Sequence, residues 1–158
     1  MDFSKAMDLI KKHEGFRRHP YKCTAGKLTI GYGRNIEDKG ISETEAGYLL
    51  YNDTYNAWAD LAQFIFPAQF SVWPERVQAA LVDMRYQLGH SGFRSFEKMI
   101  KALRVEDFSG AAHEILDSKY AKEDTPERAK EIAGMIRDSA ETVHKRYARA
   151  SKYGQNKI

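Results

Sequence analysis

Three side chains near the N-terminus have the types and spacing needed for acid and base chemistry. Glu14 is followed by Cys23 nine residues later and by Thr29 six residues after that. A carboxyl that loses hydration in a cleft keeps its proton near neutral pH and can protonate a leaving group. A free thiol has a pKa of about 8.5 and is mostly protonated at neutral pH. Cys23 therefore has three possible roles: a thiolate base for water, a covalent nucleophile, or a thiol that orients water.

The surrounding pattern predicts that these three residues meet around one turn. Residues 3–13 carry apolar side chains at helical spacing, and Gly15 is a helix stop, so Glu14 is expected in the last turn of a helix. Residues 21–30 then change to the pattern of a short hairpin. Such a hairpin folds Cys23 and Thr29 back toward the end of the helix, where the Thr29 hydroxyl would hold an attacking water.

The motif resembles that of the phage-type lysozymes, the endolysins of glycoside hydrolase family 24. Their signature is Glu, eight residues, Asp or Cys, five residues, Thr. The similarity continues beyond the motif and covers most of the chain up to about residue 139. The residues that carry it are Gly15, Tyr21, Gly26 and 30–33 near the motif, then 40–46, 79–82, 87–89 and 125–129.

Residue patterns along the chain predict an α+β fold that is mostly helical. We expect one lysozyme-like domain over residues 1–158, with a small hairpin-containing lobe at roughly 13–45. A helix over 43–66 would join it to a larger helical lobe made of residues 1–12 and 67–158. This joining helix starts at the capping box Ser42-Glu43-Thr44-Glu45.

The helical lobe is predicted from start and stop signals. A helix with a buried stripe begins after Pro74 and ends at Gly89, and Thr125 can cap a helix in which Pro126 takes the first position. The remaining predicted segments are a polar link at 35–40, helices at 95–104 and 106–118, and a basic final helix within 141–158.

The resemblance implies further site residues. Arg128 matches a family arginine that reaches the catalytic glutamate, and Arg34 stands where the family often has histidine. Cys23 stands where much of the family has aspartate. Matching the remaining family positions predicts that substrate is bound by Asn35, Tyr86, Gln87, Met99 and Glu114, and Arg128 belongs to the same predicted substrate-binding set.

Composition excludes several classes of protein. A single cysteine forbids an internal disulfide and a Cys-x-x-Cys metal site, and the five histidines lack ligand spacing, so no metal or cofactor is expected. The net charge of +3 fits a polyanionic partner such as a cell wall better than nucleic acid, because the charges are mixed along the chain. No signal peptide and no bilayer-spanning segment is expected.

The sequence thus predicts a muramidase that hydrolyses the β-1,4 bond between N-acetylmuramic acid and N-acetylglucosamine in bacterial peptidoglycan. We expect a monomer that is made in the host cytoplasm and reaches the wall with help from a separate phage holin. Two alternatives stay open. One is a cysteine-dependent wall peptidase or amidase, with Cys23 as nucleophile and His13 or His19 as base; the other is a noncatalytic glycan-binding module.

Overall fold

The computed structural model describes residues 2–139, which form two compact units that divide between Leu49 and Leu50. The predicted basic final helix within 141–158 lies outside the described residues. The first unit contains helix α1 (Ser4–Glu14), strands β1 (Arg17–Lys22), β2 (Leu28–Gly31) and β3 (Arg34–Asn35), helix α2 (Ile36–Lys39) and the start of helix α3 (Glu43–Asp60).

The second unit is helical throughout its described residues. It contains the remainder of α3, a π-helical turn (Leu61–Ile65) and a 3-10 turn (Phe70–Val72). Four further α-helices and a second π-helical turn follow: α4 (Glu75–Arg94), α5 (Glu97–Arg104), α6 (Phe108–Leu116), the turn Tyr120–Asp124, and α7 (Pro126–Arg137). A small antiparallel sheet beside many helices confirms the predicted α+β, mostly helical class.

Helix α1 ends where its sequence predicts. Its last residue is Glu14, and Gly15 follows with φ of 67°, a conformation that glycine adopts without steric cost. The Gly15 backbone N–H donates to the Lys11 carbonyl at 3.0 Å and closes the final turn. The chain then reverses into β1, so the side chain of Glu14 is presented at the start of the sheet.

The sheet has the order β1-β2-β3, and both pairings are antiparallel. The predicted hairpin is present, but β1 begins earlier than expected, at Arg17. In the central strand, Thr29 lies opposite Tyr21 on one side and opposite Asn35 on the other. Thr29 therefore lies in the middle of the sheet, where both neighbouring strands restrict its backbone.

The polar link predicted at residues 35–40 is wrong. Asn35 instead ends β3 and caps the single-turn helix α2, because its side-chain oxygen accepts the Asp38 backbone N–H at 3.0 Å. Its side-chain amide also donates to the Asp38 carboxylate at 3.0 Å. Local side-chain hydrogen bonds of this kind let a short polar segment form a helical turn.

The capping box at the start of α3 is confirmed. The Ser42 hydroxyl accepts the Glu45 backbone N–H at 3.2 Å, and Glu45 Oε2 accepts the Ser42 backbone N–H at 2.7 Å. Hydrogen bonds from the backbone and hydroxyl of Ser42 hold the pKa of Glu45 below its ordinary value. Arg34 adds a bidentate ion pair to Glu45, with N–O distances of 2.7 and 3.0 Å.

The second unit is built around one apolar core. The predicted stripe of α4 is confirmed, since Val77, Leu81 and Met84 are fully buried. In α3 and the following turn, burial begins only at Ala57, whereas the predicted apolar positions Leu49 and Leu50 are exposed. An aromatic cluster closes one end of this core, with ring centroids 4.9 to 6.4 Å apart: Phe66, Phe70, Trp73 and Phe108.

Two predicted helix boundaries in this unit need correction. Gly89 does break α4, with φ of 70° and ψ of 177°, but the helix resumes and continues to Arg94. Pro126 takes the first position of α7 as predicted, whereas the Thr125 hydroxyl makes no capping bond. Its backbone N–H instead donates to the Tyr120 carbonyl at 2.9 Å and closes the preceding π-helical turn.

We expect Ser42→Ala to destabilise the protein by about 1 kcal/mol, because the first turn of α3 loses its cap. Ser42→Thr keeps the hydroxyl and is the matched control. Urea unfolding of the parent and both variants measures the difference at neutral pH. The difference should shrink as the pH falls through the lowered pKa of Glu45, because protonation weakens the hydrogen bond from the Ser42 hydroxyl to the Glu45 carboxylate, which the alanine variant lacks. Equal unfolding midpoints for Ala and Thr would contradict this role.

Candidate active site

The Glu14 carboxyl lies against the backbone of Gly33. Glu14 is exposed in the last turn of α1. A Cβ placed on Gly33 would lie 2.7 Å from Glu14 Oε2 and 2.9 Å from Glu14 Cδ, closer than such atoms approach in proteins. The acid therefore packs on the turn between β2 and β3, while solvent still reaches it.

Cys23 lies in the turn between β1 and β2, and backbone hydrogen bonds close this turn. The Cys23 N–H donates to the Lys27 carbonyl at 3.0 Å, and the Gly26 N–H donates to the Cys23 carbonyl at 2.8 Å. Backbone hydrogen bonds from Lys27 and Ala25, followed by one from the Thr29 hydroxyl, hold the pKa of the Cys23 thiol below its ordinary value. Neither the preceding residue Lys22 nor Arg34 is among the causes.

Thr29 is the one buried side chain among the described residues of the first unit, with an exposed fraction of 3%. Its hydroxyl donates to the Lys27 carbonyl at 3.0 Å, and it also helps to lower the pKa of the Cys23 thiol. A hydroxyl carries one hydrogen, so donation to the sulfur requires it to turn away from the carbonyl. Thr29 thus contacts the turn that holds the thiol, and sequence spacing correctly brought the two together.

Arg34 is held by the scaffold of the first unit. Besides its ion pair with Glu45, it donates to the Gly40 carbonyl from Nε at 3.2 Å and from Nη2 at 3.0 Å. A guanidinium matches this bidentate geometry, which an imidazole cannot reproduce. Arg34 therefore ties β3 to the start of α3.

Two predicted substrate-binding residues share one cavity in the second unit. Met99 is buried and Glu114 is half-buried, and both line a cavity of about 640 Å³ between α5, α6 and the turn at 120–124. The cavity wall carries charges of both signs. They come from the carboxylates Glu97, Glu114, Asp117 and Asp124 and from the amines of Lys98 and Lys119.

Gln87 is connected to the same cavity through Tyr120. The Tyr120 hydroxyl donates to Gln87 Oε1 at 2.9 Å, and Tyr120 itself lines the cavity. Burial raises the pKa of Tyr120, so the phenol stays a hydrogen-bond donor at neutral pH. Tyr86, the residue before Gln87, is 45% exposed on α4.

Arg128 makes a bidentate ion pair within the second unit. Its Nε and Nη2 donate to the two oxygens of Asp83 at 2.7 and 2.6 Å, which raises the pKa of Arg128 further. Both residues line a separate cavity of about 410 Å³. The predicted pairing of Arg128 with Glu14 concerns residues in different units and stays a prediction.

Sequence reasoning missed two residues that the structure places beside predicted ones. Asp83 lies 45 positions before its partner Arg128 in a helix whose pattern indicated only a core stripe, so no local signal marks it. Gly33 belongs to the recognised motif, yet its contact with Glu14 depends on how the turn folds. Asn35, predicted to bind substrate, uses its side chain to cap α2.

The described residues hold no group of three or more His, Cys, Asp or Glu side chains arranged to bind a metal ion. Within residues 2–139, none of the helices combines the length and apolar character that crossing a bilayer requires.

A solvent-accessible carboxyl, a thiol with a lowered pKa and a buried hydroxyl are groups that can take part in proton transfer. Comparison with known proteins gives the family. The phage lysozyme family model matches residues 11–141. The chain belongs to this family, which confirms the resemblance seen in its motif and makes it a lysozyme-type glycoside hydrolase.

Two relatives are similar over much of their length. An endolysin of Acyrthosiphon pisum secondary endosymbiont phage 1 is 30% identical over 138 residues, which cover 84% of this chain and 88% of that protein. A SAR-endolysin of Bacteriophage PS119 is 30% identical over 112 residues, which cover 68% of this chain and 64% of that protein.

The donors around Cys23 lead to a prediction about its reactivity. We expect iodoacetamide to alkylate Cys23 with a pH midpoint below that of an ordinary thiol, because only the thiolate reacts. Thr29→Val removes one donor and should move the midpoint upward, whereas Thr29→Ser keeps the hydroxyl and is the control. Mass spectrometry of timed samples across pH gives the three midpoints. Identical midpoints for Val and Ser would show that the hydroxyl does not support the thiolate.

Proposed function

We propose that this chain is an endolysin muramidase that hydrolyses the β-1,4 bond between N-acetylmuramic acid and N-acetylglucosamine in peptidoglycan. The observation that supports it most is the arrangement in the first unit. There the residues of a glycoside hydrolase motif lie at two turns of one small sheet, with Glu14 on Gly33 in the β2–β3 turn and Cys23 in the β1–β2 turn that Thr29 contacts. The relatives named endolysin are consistent with a wall-lysing role.

Glu14 is the proposed general acid. Hydrolysis of a glycosidic bond needs a proton at the leaving oxygen, and a carboxyl in reach of substrate supplies it. Glu14 is exposed, so a sugar chain can approach it, and its contact with Gly33 limits the positions that the carboxyl can take.

Cys23 is the proposed group on the other side of the scissile bond, and it acts on water. Donors from Lys27, Ala25 and Thr29 favour its thiolate, which can accept a proton from a water molecule. Thr29 assists by orienting the sulfur and the attacking water through its hydroxyl. The same donors would also favour a thiolate nucleophile, so the two roles must be separated by substitution.

The cavity of the second unit is the proposed site for part of the glycan strand. Its volume of about 640 Å³ is within the range of carbohydrate-sized pockets, and its polar wall offers acceptors and donors for sugar hydroxyl and acetamido groups. Met99 supplies an apolar floor, and Glu114 and Tyr120 supply polar contacts. Gln87 fixes Tyr120 and contributes to binding through it.

The biological setting follows from the proposed activity. We propose a monomer of one lysozyme-like domain that is made in the host cytoplasm and acts on the wall in the periplasm after a separate phage holin opens the inner membrane. Peptidoglycan is its only proposed macromolecular partner, with neither nucleic acid nor stable membrane insertion involved.

The bond specificity is tested by end-group analysis of digested peptidoglycan. A muramidase releases new muramic acid reducing ends, a peptidase or amidase releases amino groups, and a glycan-binding module releases neither. New amino groups without reducing ends would replace the proposal with a cysteine-dependent peptidase, in which His13 or His19 would serve as base.

We expect Glu14→Gln to lose lytic activity by about a hundredfold or more, because the amide has no transferable proton. Loss of turbidity of permeabilised bacterial cells measures the rate, and circular dichroism checks the fold. Glu43→Gln, at the exposed start of α3, is the matched control for loss of one carboxyl. A folded Glu14→Gln protein that lyses cells at the parent rate would remove Glu14 from the mechanism.

We expect Cys23→Asp to stay active. Its loss of lytic activity should be much smaller than the roughly hundredfold loss that removal of a general base causes. Aspartate is a competent base for water, so the variant should also resist iodoacetamide while the parent is inhibited. Cys23→Ser keeps a small polar group without the basicity and should be weaker than Cys23→Asp. A folded but inactive Cys23→Asp protein would instead favour covalent catalysis by the thiolate.

A further inference from the structure

The side chain of Glu14 packs closely on Gly33 in the first unit. Gly33 has φ of 75°, and a Cβ at this position would lie 2.7, 2.9 and 3.2 Å from Oε2, Cδ and Cγ of Glu14. All three atoms belong to the side chain, so the whole carboxyl end packs on the Cα of Gly33. A larger residue would have to displace this carboxyl.

Two contacts hold the Gly33 turn against the segment that follows Glu14. The rings of Phe16 and Tyr32 lie 5.5 Å apart between centroids, and Arg17 pairs with Gly31 across the first two strands. Phe16 comes two residues after Glu14, and Tyr32 comes directly before Gly33. The turn and the end of α1 are therefore fixed to each other by side chains and backbone close to the contact.

Hydrogen bonds among the described residues of the first unit do not restrain the Glu14 carboxyl. Among its described residues, no hydrogen bond or ion pair to the Glu14 carboxyl is found. Contact with Gly33 is thus the restraint that this unit places on the carboxyl.

We propose that Gly33 is a positioning residue for catalysis, whose missing side chain creates the space that sets the orientation of the Glu14 carboxyl. The inference rests on the proposed role of Glu14 as general acid. Glycine at this position is required for two reasons: its positive φ and the nearby carboxyl. Substitution of the nearby Gly31 tests the effect of positive φ by itself, because Gly31 has φ of 66° but no atom within 4 Å of its Cβ position.

The test compares Gly33→Ala with Gly31→Ala, which have similar backbone strain but differ in contact with Glu14. With soluble peptidoglycan fragments as substrate, we expect Gly33→Ala to lower kcat at least about tenfold with little change in KM, since small displacements of a catalytic group are costly. Gly31→Ala should keep kcat close to that of the parent. Equal losses of kcat in the two variants would overturn the proposal.

A stability cycle tests the contact without relying on activity. Urea unfolding midpoints are measured for both alanine variants with Glu14 present and in a Glu14→Ala background. Gly33→Ala should lower the midpoint more than Gly31→Ala when Glu14 is present, and this excess should vanish when the side chain of Glu14 is removed. A persistent excess would show that Gly33 is needed for another reason. If the Gly33→Ala variant does not fold, the double variant with Gly33→Ala and Glu14→Ala should fold. Failure of the double variant to fold would also overturn the proposal.

The two proposals fail in different ways. Full activity of Glu14→Gln would refute the general acid and leave the stability coupling of Gly33 to Glu14 in place. Loss of activity in Glu14→Gln would support Glu14 as the general acid. If the two glycine substitutions then had equal effects on kcat, positioning by Gly33 would be refuted while the role of Glu14 would stand.

Discussion

The central strand β2 is the constraint on which the candidate active site depends. Its antiparallel pairing to both neighbours places Thr29 opposite Tyr21 and opposite Asn35, in the middle of a three-stranded sheet. The same pairing closes the turn that carries Cys23 and extends into the turn that carries Gly33. Because antiparallel register is fixed by backbone hydrogen bonds, a shift of one residue would turn Thr29 to the other face of the sheet. The thiol would then lose its hydroxyl donor.

The electrostatics of the described residues follow one pattern, in which arginines are held by carboxylates. Arg34 binds Glu45, Arg85 binds Asp60 at 2.6 Å, and Arg128 binds Asp83. The pairs of Arg34 and Arg128 are bidentate, whereas Arg85 donates one hydrogen bond from Nε, and all three pairs fix the orientation of the elements that carry them. The thiol of Cys23 is instead stabilised as thiolate by neutral backbone and hydroxyl donors. Salt therefore screens the ion pairs on the surface more than it affects the site of the first unit.

Irregular backbone in the second unit lies near the candidate binding cavity. The π-helical turn at 120–124 contributes Tyr120 and Asp124 to the cavity wall, and Gly92, beyond the Gly89 break in α4, lines it too. Regular helices alone present side chains at fixed angles, whereas an extra residue in a turn or a glycine break redirects the helix. The apolar core built from α4, α6 and α7 provides rigid support for the π-helical turn and for the break at Gly89.

Local patterns in the sequence were enough to determine the helix ending at Glu14, the hairpin, the capping box, the α4 stripe and the family motif. Each depends on residues within a few positions of one another, where propensity and periodicity act directly. The register of β3 and the pairing of Arg128 with Asp83 were not predictable in this way. The same holds for the contact of Gly33 with Glu14. Those features depend on distances across folded segments, and only the tertiary structure decides which of several possible partners lies within reach.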